Sequence, residues 1–214
     1  MHTYPSYPPP DGRAVVDFVR ENPFAVVVSP APEGPPVATH LPMILPPETD
    51  PGESLAGVTM YGHMGRANPH WRLFRERADV LMVFSSSHGY VSPSLYGFAP
   101  TAPTLDYAAV HLTGEATLIE DAAAALEVVE RTVSALESMR PAQWDPEPSR
   151  ELFERIIGKV AAFSVRVTGQ QAMFKLSQDM PEDVRGRVRD DFDRGPHRHP
   201  GLVRLMDHME EARR

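Results

Sequence analysis

Gly62-His63-Met64-Gly65-Arg66-Ala67-Asn68-Pro69-His70-Trp71 is the stretch on which the reading of this chain turns. It follows a mostly apolar run, Leu55 to Tyr61, that predicts a strand. It precedes a charged, periodic stretch, Trp71 to Arg77, that predicts a helix burying Trp71 and Phe74. Asn68 suits an N-cap and Pro69 a first helical position. The free amides of a helix start favour an anion. Arg66 stands just upstream, and its guanidinium fork matches phosphate or carboxylate. Gly62 and Gly65 let a backbone approach a ligand closely. Strand, glycine-rich basic turn and capped helix together suit a phosphate-bearing cofactor. The same residues would also make a capped surface helix after a glycine turn, the commoner outcome for so short a motif.

Outward from this stretch, Asp11 is expected to cap a first helix with Val15, Phe18 and Val19 inside, ended by Asn22-Pro23. Phe24 to Ser29 and Val37 to Leu45 read as a hairpin across a Pro/Gly turn, with Pro42 at an edge or break. Val80 to Phe84 is a short strand, followed by the extended segment Ser85 to Pro93 and a loop from Tyr96 to Thr104. Tyr107 to Ile119 alternates as one long strand with a bulge expected at Gly114. Asp121 opens an amphipathic helix with Leu126, Val129, Val133 and Leu136 inside. Ser149 caps a second with Leu152, Phe153, Ile156 and Ile157 inside and Gly158 as its stop. Val160 to Leu176 is a further long strand, kinked near Gly169. Beyond it, Val184, Val188 and Phe192 recur every four residues in a charged segment, and Leu202, Leu205, Met206 and Met209 support a last helix. Strands joined by tight turns predict an α+β, mainly β, fold: an antiparallel sheet or small barrel with helices outside. Residues 1–178 form the expected main domain and 179–214 a charged helical appendage.

The 214 residues carry a net charge of -8, which argues against a protein that coats nucleic acid by general electrostatics. The absence of cysteine excludes disulfides, thiolate metal sites and a cysteine nucleophile. No apolar run approaches the ~20 residues of a membrane span, and Met1 to Asp11 lacks the pattern of a signal peptide. A cytoplasmic protein without a membrane partner is the expectation. His40, His63, His70, His88 and His111 fall in the expected β-core, but no pair shows the spacing of a zinc protease helix, and no metal is expected. No Gly-x-Ser-x-Gly elbow or paired carboxylates stand out. Tyr90, Tyr96, Phe98 and Tyr107 gather around the middle loop and could stack on a flat ring or simply fill core. Lys175-Leu176-Ser177-Gln178 ends the last long strand with several donors, suited to an anion or a polar ring edge, or to solvent.

Five segments occur in register: Ala38-Thr39-His40-Leu41-Pro42, Gly62-His63-Met64 through Asn68-Pro69-x-Trp71, Tyr90-Val91-Ser92-Pro93-Ser94-Leu95-Tyr96, Ala109-Val110-His111-x-x-Gly114 and Lys175-Leu176-Ser177-Gln178. In this order, from about Tyr4 to Gln178, the chain resembles the PaiB family of FMN-binding split-barrel proteins, described as negative transcriptional regulators. The resemblance implies a split β-barrel related to pyridoxamine-phosphate oxidases and flavin reductases. It implies a homodimer with FMN between subunits. The flavin phosphate would lie near His63, Arg66 and Asn68. Thr39, His40 and Leu41 would run beside the ring. Tyr90, Ser94 and Tyr96, with Lys175, Ser177 and Gln178, would come from the same or the partner subunit.

This chain departs from the family at Leu105-Asp106, where Trp-Asn is frequent, at Asp179, where asparagine is common, and at Gly65, where alanine is usual. DNA is a partner by family analogy alone: there is no helix-turn-helix signal, and the tail arginines are interleaved with acids. A flavin-dependent oxidoreductase is the alternative function, and a haem-binding split-barrel protein a third.

Overall fold

The computed structural model describes residues 1–212. Asp11 opens the first helix, α1 (Gly12–Glu21), by accepting the Ala14 amide at 2.6 Å, and Val15, Phe18 and Val19 are buried along it. The valine-rich β1 (Phe24–Ser29) pairs antiparallel with β2 (Val37–Ile44), setting Val27 opposite Thr39. Then follow β3 (Thr59–Gly65), a 3₁₀ turn (Pro69–Arg72), α2 (Leu73–Glu76), β4 (Asp79–Ser85) and β5 (Gly89–Val91). The long β6 (Thr104–Ile119), α3 (Ala122–Glu137), α4 (Arg150–Ile156) and the long β7 (Val160–Lys175) lead to α5 (Glu182–Arg194) and α6 (Pro200–Glu211). The strand order is β4-β1-β2-β3-β7-β6-β5, and a further β4–β6 pairing closes six strands into an antiparallel barrel with β5 as the seventh. This is the split barrel expected.

The chain divides into two compact units. One comprises Met1–Val15, Ser85–Val110 and Gln171–Arg214; the other comprises Val16–Phe84 and His111–Gln170. The tail helices fall in the first, where Val184, Val188 and Phe192 of α5 and Leu202, Met206 and Met209 of α6 are buried. Positions 213 and 214 of the expected appendage lie outside the described residues.

Several local readings change. β3 begins at Thr59, not Leu55, so Gly62 to Gly65 lie in the strand rather than in a turn. Gly62 is there for close packing: a Cβ would sit 2.5 Å from Met43 Sδ and 2.9 Å from Phe163 Cζ. Gly65 has nothing within 4 Å of such an atom. Gly114 likewise has a packing role, since a Cβ would meet Val165 Cγ1 at 2.5 Å and the Arg166 carbonyl at 2.7 Å. The helix expected after Asn68 is a 3₁₀ turn followed by one α-turn, too short to present an anion-binding helix start.

In α3 the inner face is Ala125, Val128 and Thr132, whereas Leu126, Val129 and Val133 are half-buried and Leu136 is 37% exposed. Small side chains let this helix approach Ala162 of β7, and the Thr132 hydroxyl is satisfied by the Val128 carbonyl at 2.8 Å. Ser149 makes no side-chain cap, and Leu152 and Ile156 of α4 are exposed rather than inside. Gly158 lies within a closing 3₁₀ turn.

The first unit holds a buried polar pair. Asp106 is 0% exposed, and its Oδ2 accepts the Ser177 hydroxyl at 2.6 Å while Oδ1 has no partner. Ser177 adopts φ 55°, a left-handed conformation unusual for a residue other than glycine. Burial pushes the Asp106 carboxyl up to about 6, against the downward pull of Ser177 and the Lys175 ammonium.

Gly62→Ala is expected to cost about 1–3 kcal/mol through overpacking, while Gly65→Ala stays within about 0.5 kcal/mol. Urea unfolding of the two variants checks the contrast, and equal stabilities would refute the packing role. For Asp106 the native-state value of about 6 lies above the ordinary 3.8, so native protein binds the proton more tightly. Stability from this group is full below the ordinary value and is lost as pH rises to about 6. Asp106→Asn should therefore stabilise by ~1–3 kcal/mol at pH 7 and add nothing near pH 4. Thermal melts at the two pH values test this; a gain independent of pH contradicts it.

Candidate functional site

In the second unit the site is built around an imidazole. His70, in the 3₁₀ turn after Asn68, is 1% exposed. Its Nδ1 lies 2.8 Å from Thr39 Oγ1 on β2, and its Nε2 lies 2.9 Å from Ser29 Oγ at the end of β1. Asn68 grips the same group twice: Nδ2 donates to Thr39 Oγ1 at 3.1 Å, and Oδ1 accepts the His70 amide at 3.0 Å. Thr39 Oγ1 already accepts from Asn68, so its own proton is best directed at Nδ1. That assignment leaves the Nε2 proton for Ser29. Burial holds the His70 pKa below its ordinary value, so the ring is neutral at pH 7.

Beside this network stands Trp71. Its indole Nε1 donates to the Arg66 carbonyl at 3.1 Å, and the Arg66 amide donates to the Lys159 carbonyl at 2.8 Å. Three guanidinium carbons lie near the indole: Arg66 at 5.3 Å, Arg72 at 5.5 Å and Arg75 at 5.4 Å from the ring centroid. Arg75 is paired with Glu120 at 2.5 Å, whereas Arg66 forms no ion pair among the described residues. A cavity of ≈ 180 Å³ opens between Arg66, Arg75, Glu120 and the small side chains Ala161 and Ala162. His63, on β3, has a buried Nδ1 without a hydrogen-bond partner, and burial lowers its pKa. His40 is exposed and tilts against exposed Phe24 at 5.9 Å, while Leu41 is buried.

The first unit brings Tyr90 and Lys175 together. With Tyr4, Tyr7 and Tyr107 they line a cleft of ≈ 830 Å³. Lys175 Nζ donates to Thr104 Oγ1 and, at 2.9 Å, to the Leu105 carbonyl. It also lies 5.6 Å over the Tyr7 ring. The remaining expected residues here are engaged locally. Ser94 Oγ is 2.8 Å from Ser92 Oγ, and Ser177 holds Asp106. Gln178 accepts the Leu176 amide at 2.7 Å and donates to the Phe174 carbonyl. Tyr96 is buried with its hydroxyl unpartnered.

Thr39 and Asn68 thus meet through His70, with Arg66 next to them. Sequence reasoning placed His70 among five histidines of the expected β-core and missed Ser29 and Arg75. The only sequence signal for His70 was its place two residues after a good N-cap. With both ring nitrogens engaged, His70 is no free axial ligand for haem. Among the described residues no cluster of three His, Asp or Glu side chains could hold a metal ion, and no helix is long and apolar enough to cross a membrane.

Residues 1–169 match the family model described as "Putative FMN-binding domain". The Bacillus subtilis (strain 168) protein named "Protease synthase and sporulation protein PAI 2" is 34% identical over 171 residues, covering 78% of this chain and 76% of that one. Among solved structures, the conserved hypothetical protein Rv2991 from Mycobacterium tuberculosis is similar with a TM-score of 0.56 at 10% identity, over 85% of this chain and 95% of that one. The flavocytochrome Anf3 from Azotobacter vinelandii is similar with a TM-score of 0.51 at 20% identity, over 75% and 65%. These solved structures speak for the fold alone. Taken with the barrel and the five motifs in register, the family match and the kinship to the Bacillus protein lead to one assignment: the chain belongs to the PaiB family of FMN-binding split-barrel proteins, and FMN is its cofactor.

Proposed function

We propose that this chain acts as a flavin-dependent oxidoreductase, a homodimer in which Arg66 holds the FMN phosphate. The observation that carries the reading is the exposed Arg66 guanidinium, which has no ion pair among the described residues and borders a cavity. His63, on the strand leading to it, has a buried Nδ1 without a hydrogen-bond partner but does not line that cavity. The Arg66 guanidinium fits a phosphate-bearing group. Asn68 takes part by fixing the turn, since its amide is engaged with Thr39 and His70. Thr39, His40 and Leu41 lie on β2, whose backbone groups can meet the ring edge, while the Thr39 hydroxyl is engaged with His70 and Asn68. Tyr90 offers an exposed aromatic face and Lys175 an ammonium bonded to neutral oxygens. Tyr96, Ser177 and Gln178 support that segment from within, while Ser94 is exposed and bonded to Ser92. Phe24, 64% exposed on a barrel strand, is an apolar side chain that a partner subunit would cover.

Bound FMN supplies the hydride or electron transfer. The chain's own residues bind and orient, and none is needed as an acid–base pair. A neutral His70 suits that task, because it holds Thr39 and Asn68 in place without adding charge.

Negative regulation of transcription is the second reading, favoured by the 34% identity to a protein whose name ties it to protease synthesis and sporulation. Direct DNA contact by the tail finds no support. Arg185 pairs with Glu210 at 2.6 Å, Arg187 with Asp183 at 2.9 Å and Arg189 with Asp207 at 2.7 Å. A mobility shift that persists at physiological salt would favour the regulatory reading over the oxidoreductase alone.

The purified protein is expected to be yellow or to take up added FMN. Arg66→Ala should weaken FMN binding by ~1.5–3 kcal/mol, measured by flavin fluorescence titration. Unchanged affinity would move the phosphate elsewhere, and a colourless protein indifferent to FMN would sink the reading.

A further inference from the structure

We infer that Arg75 is a second guanidinium of the phosphate site, held in reserve by Glu120, and that the cavity admits a terminal phosphate monoester but not the bridged diphosphate of a dinucleotide. The inference rests on Arg66 as phosphate ligand and deepens that reading.

Three guanidinium groups surround the Trp71 indole at 5.3, 5.5 and 5.4 Å. The ring attracts each of them, but like charges so close repel one another. Glu120 is the one carboxylate that pairs with any of the three among the described residues. Of the three, Arg66 and Arg75 line the cavity with Glu120, which leaves an excess of two positive charges there once Glu120 gives way. A phosphate monoester carries about -1.5 to -2 at pH 7, which matches that excess. Uncharged riboflavin gains nothing from it.

The cavity limits what can enter. At ≈ 180 Å³ it lies below the ~300–1,000 Å³ of sites that enclose a whole ligand, so it takes an end group. Leu118, Ile119, Ala161 and Ala162 complete its lining beside the charged groups. The phosphates of a dinucleotide sit mid-chain, with a bulky group on either side. They cannot reach such a pocket as a terminus.

Glu120 sets the competition. The Arg75 and Glu120 side chains are 57% and 68% exposed, so their pair is weakly held despite its 2.5 Å separation. A dianion displaces the carboxylate from Arg75. Glu120 then stands beside the ligand as a like charge, and removing it should tighten binding.

Titration of FMN, riboflavin and FAD into the full chain, followed by flavin fluorescence, tests this in wild type, Arg66→Ala, Arg75→Ala and Glu120→Gln. Arg75 and Glu120 are exposed, so their variants should keep the fold, which thermal melts verify. Arg75→Ala should weaken FMN about tenfold or more and leave riboflavin unchanged. Glu120→Gln should tighten FMN about threefold, again without effect on riboflavin. Wild type should bind FMN more tightly than FAD. FMN affinity unchanged in Arg75→Ala but reduced in Arg66→Ala overturns the inference and leaves the Arg66 site standing. Affinity unchanged in both removes the Arg66 site as well. FAD bound as tightly as FMN overturns the end-group limit, and Glu120→Gln binding FMN no tighter than wild type overturns the role of Glu120.

Discussion

The second unit depends on a buried imidazole whose two nitrogens must both be satisfied. Leaving a buried donor or acceptor unpaired costs about 1–3 kcal/mol, so His70 constrains its neighbours strongly. Ser29 and Thr39 meet its ring, and Asn68 meets both Thr39 and the His70 backbone. The network ties the ends of the β1–β2 hairpin to the turn after β3. Arg66 sits two residues before Asn68, with its own amide fixed on the Lys159 carbonyl. The backbone is therefore held on both sides of Arg66 and the side chain alone remains to be ordered. That is preorganisation, which reduces the entropy lost when an anion binds.

Arginine serves two purposes in this chain. The α5 arginines face carboxylates on their own helix or on α6, and bidentate geometry at Arg189 joins the two helices. Their charge is neutralised as it is used. Around Trp71 the balance is reversed, with three guanidinium groups and one opposing carboxylate. On a chain of net charge -8, that local excess is a focused positive field. Such a field draws a small anion without the broad basic surface that a nucleic acid needs.

What the sequence made legible was local. Asp11 and Asp121 cap the helices expected of them, and the alternation of Phe163, Val165 and Val167 marks a strand. The spacing of Val184, Val188 and Phe192 marked their helix face correctly. Gly62 was misread because glycine serves both turns and tight packing, and only the positions of Met43 and Phe163 distinguish the two. The inner face of α3 was misread because side-chain size was taken for depth. A helix seated on Ala162 buries its alanine and threonine, and its leucines lie further out. Arg66 and Asn68 were legible because they lie two residues apart. Thr39 was reached only through the family motif, and its link with Ser29 and His70 was not legible, since 41 positions separate the ends of that network. Arg75 and Glu120 are 45 apart, and nothing local announces their pairing.

The two acidic departures from the family pattern show how environment decides the cost of one substitution type. Asp179 is exposed and accepts the Tyr7 hydroxyl at 2.9 Å, while burial and that carboxylate push the tyrosine up to about 12. Water and a donor that stays protonated make this charge inexpensive. Asp106 has no exposure and only Ser177 as a donor, with one oxygen unpaired. The Lys175 ammonium acts on it through space but spends its hydrogen bonds on Thr104 and Leu105. A neutral amide at position 106 could accept from Ser177 without a buried charge, whereas the carboxylate must either ionise in a dry site or hold a proton. The buried Asp106 carboxyl therefore costs the first unit stability, and that cost grows as the pH rises toward neutrality.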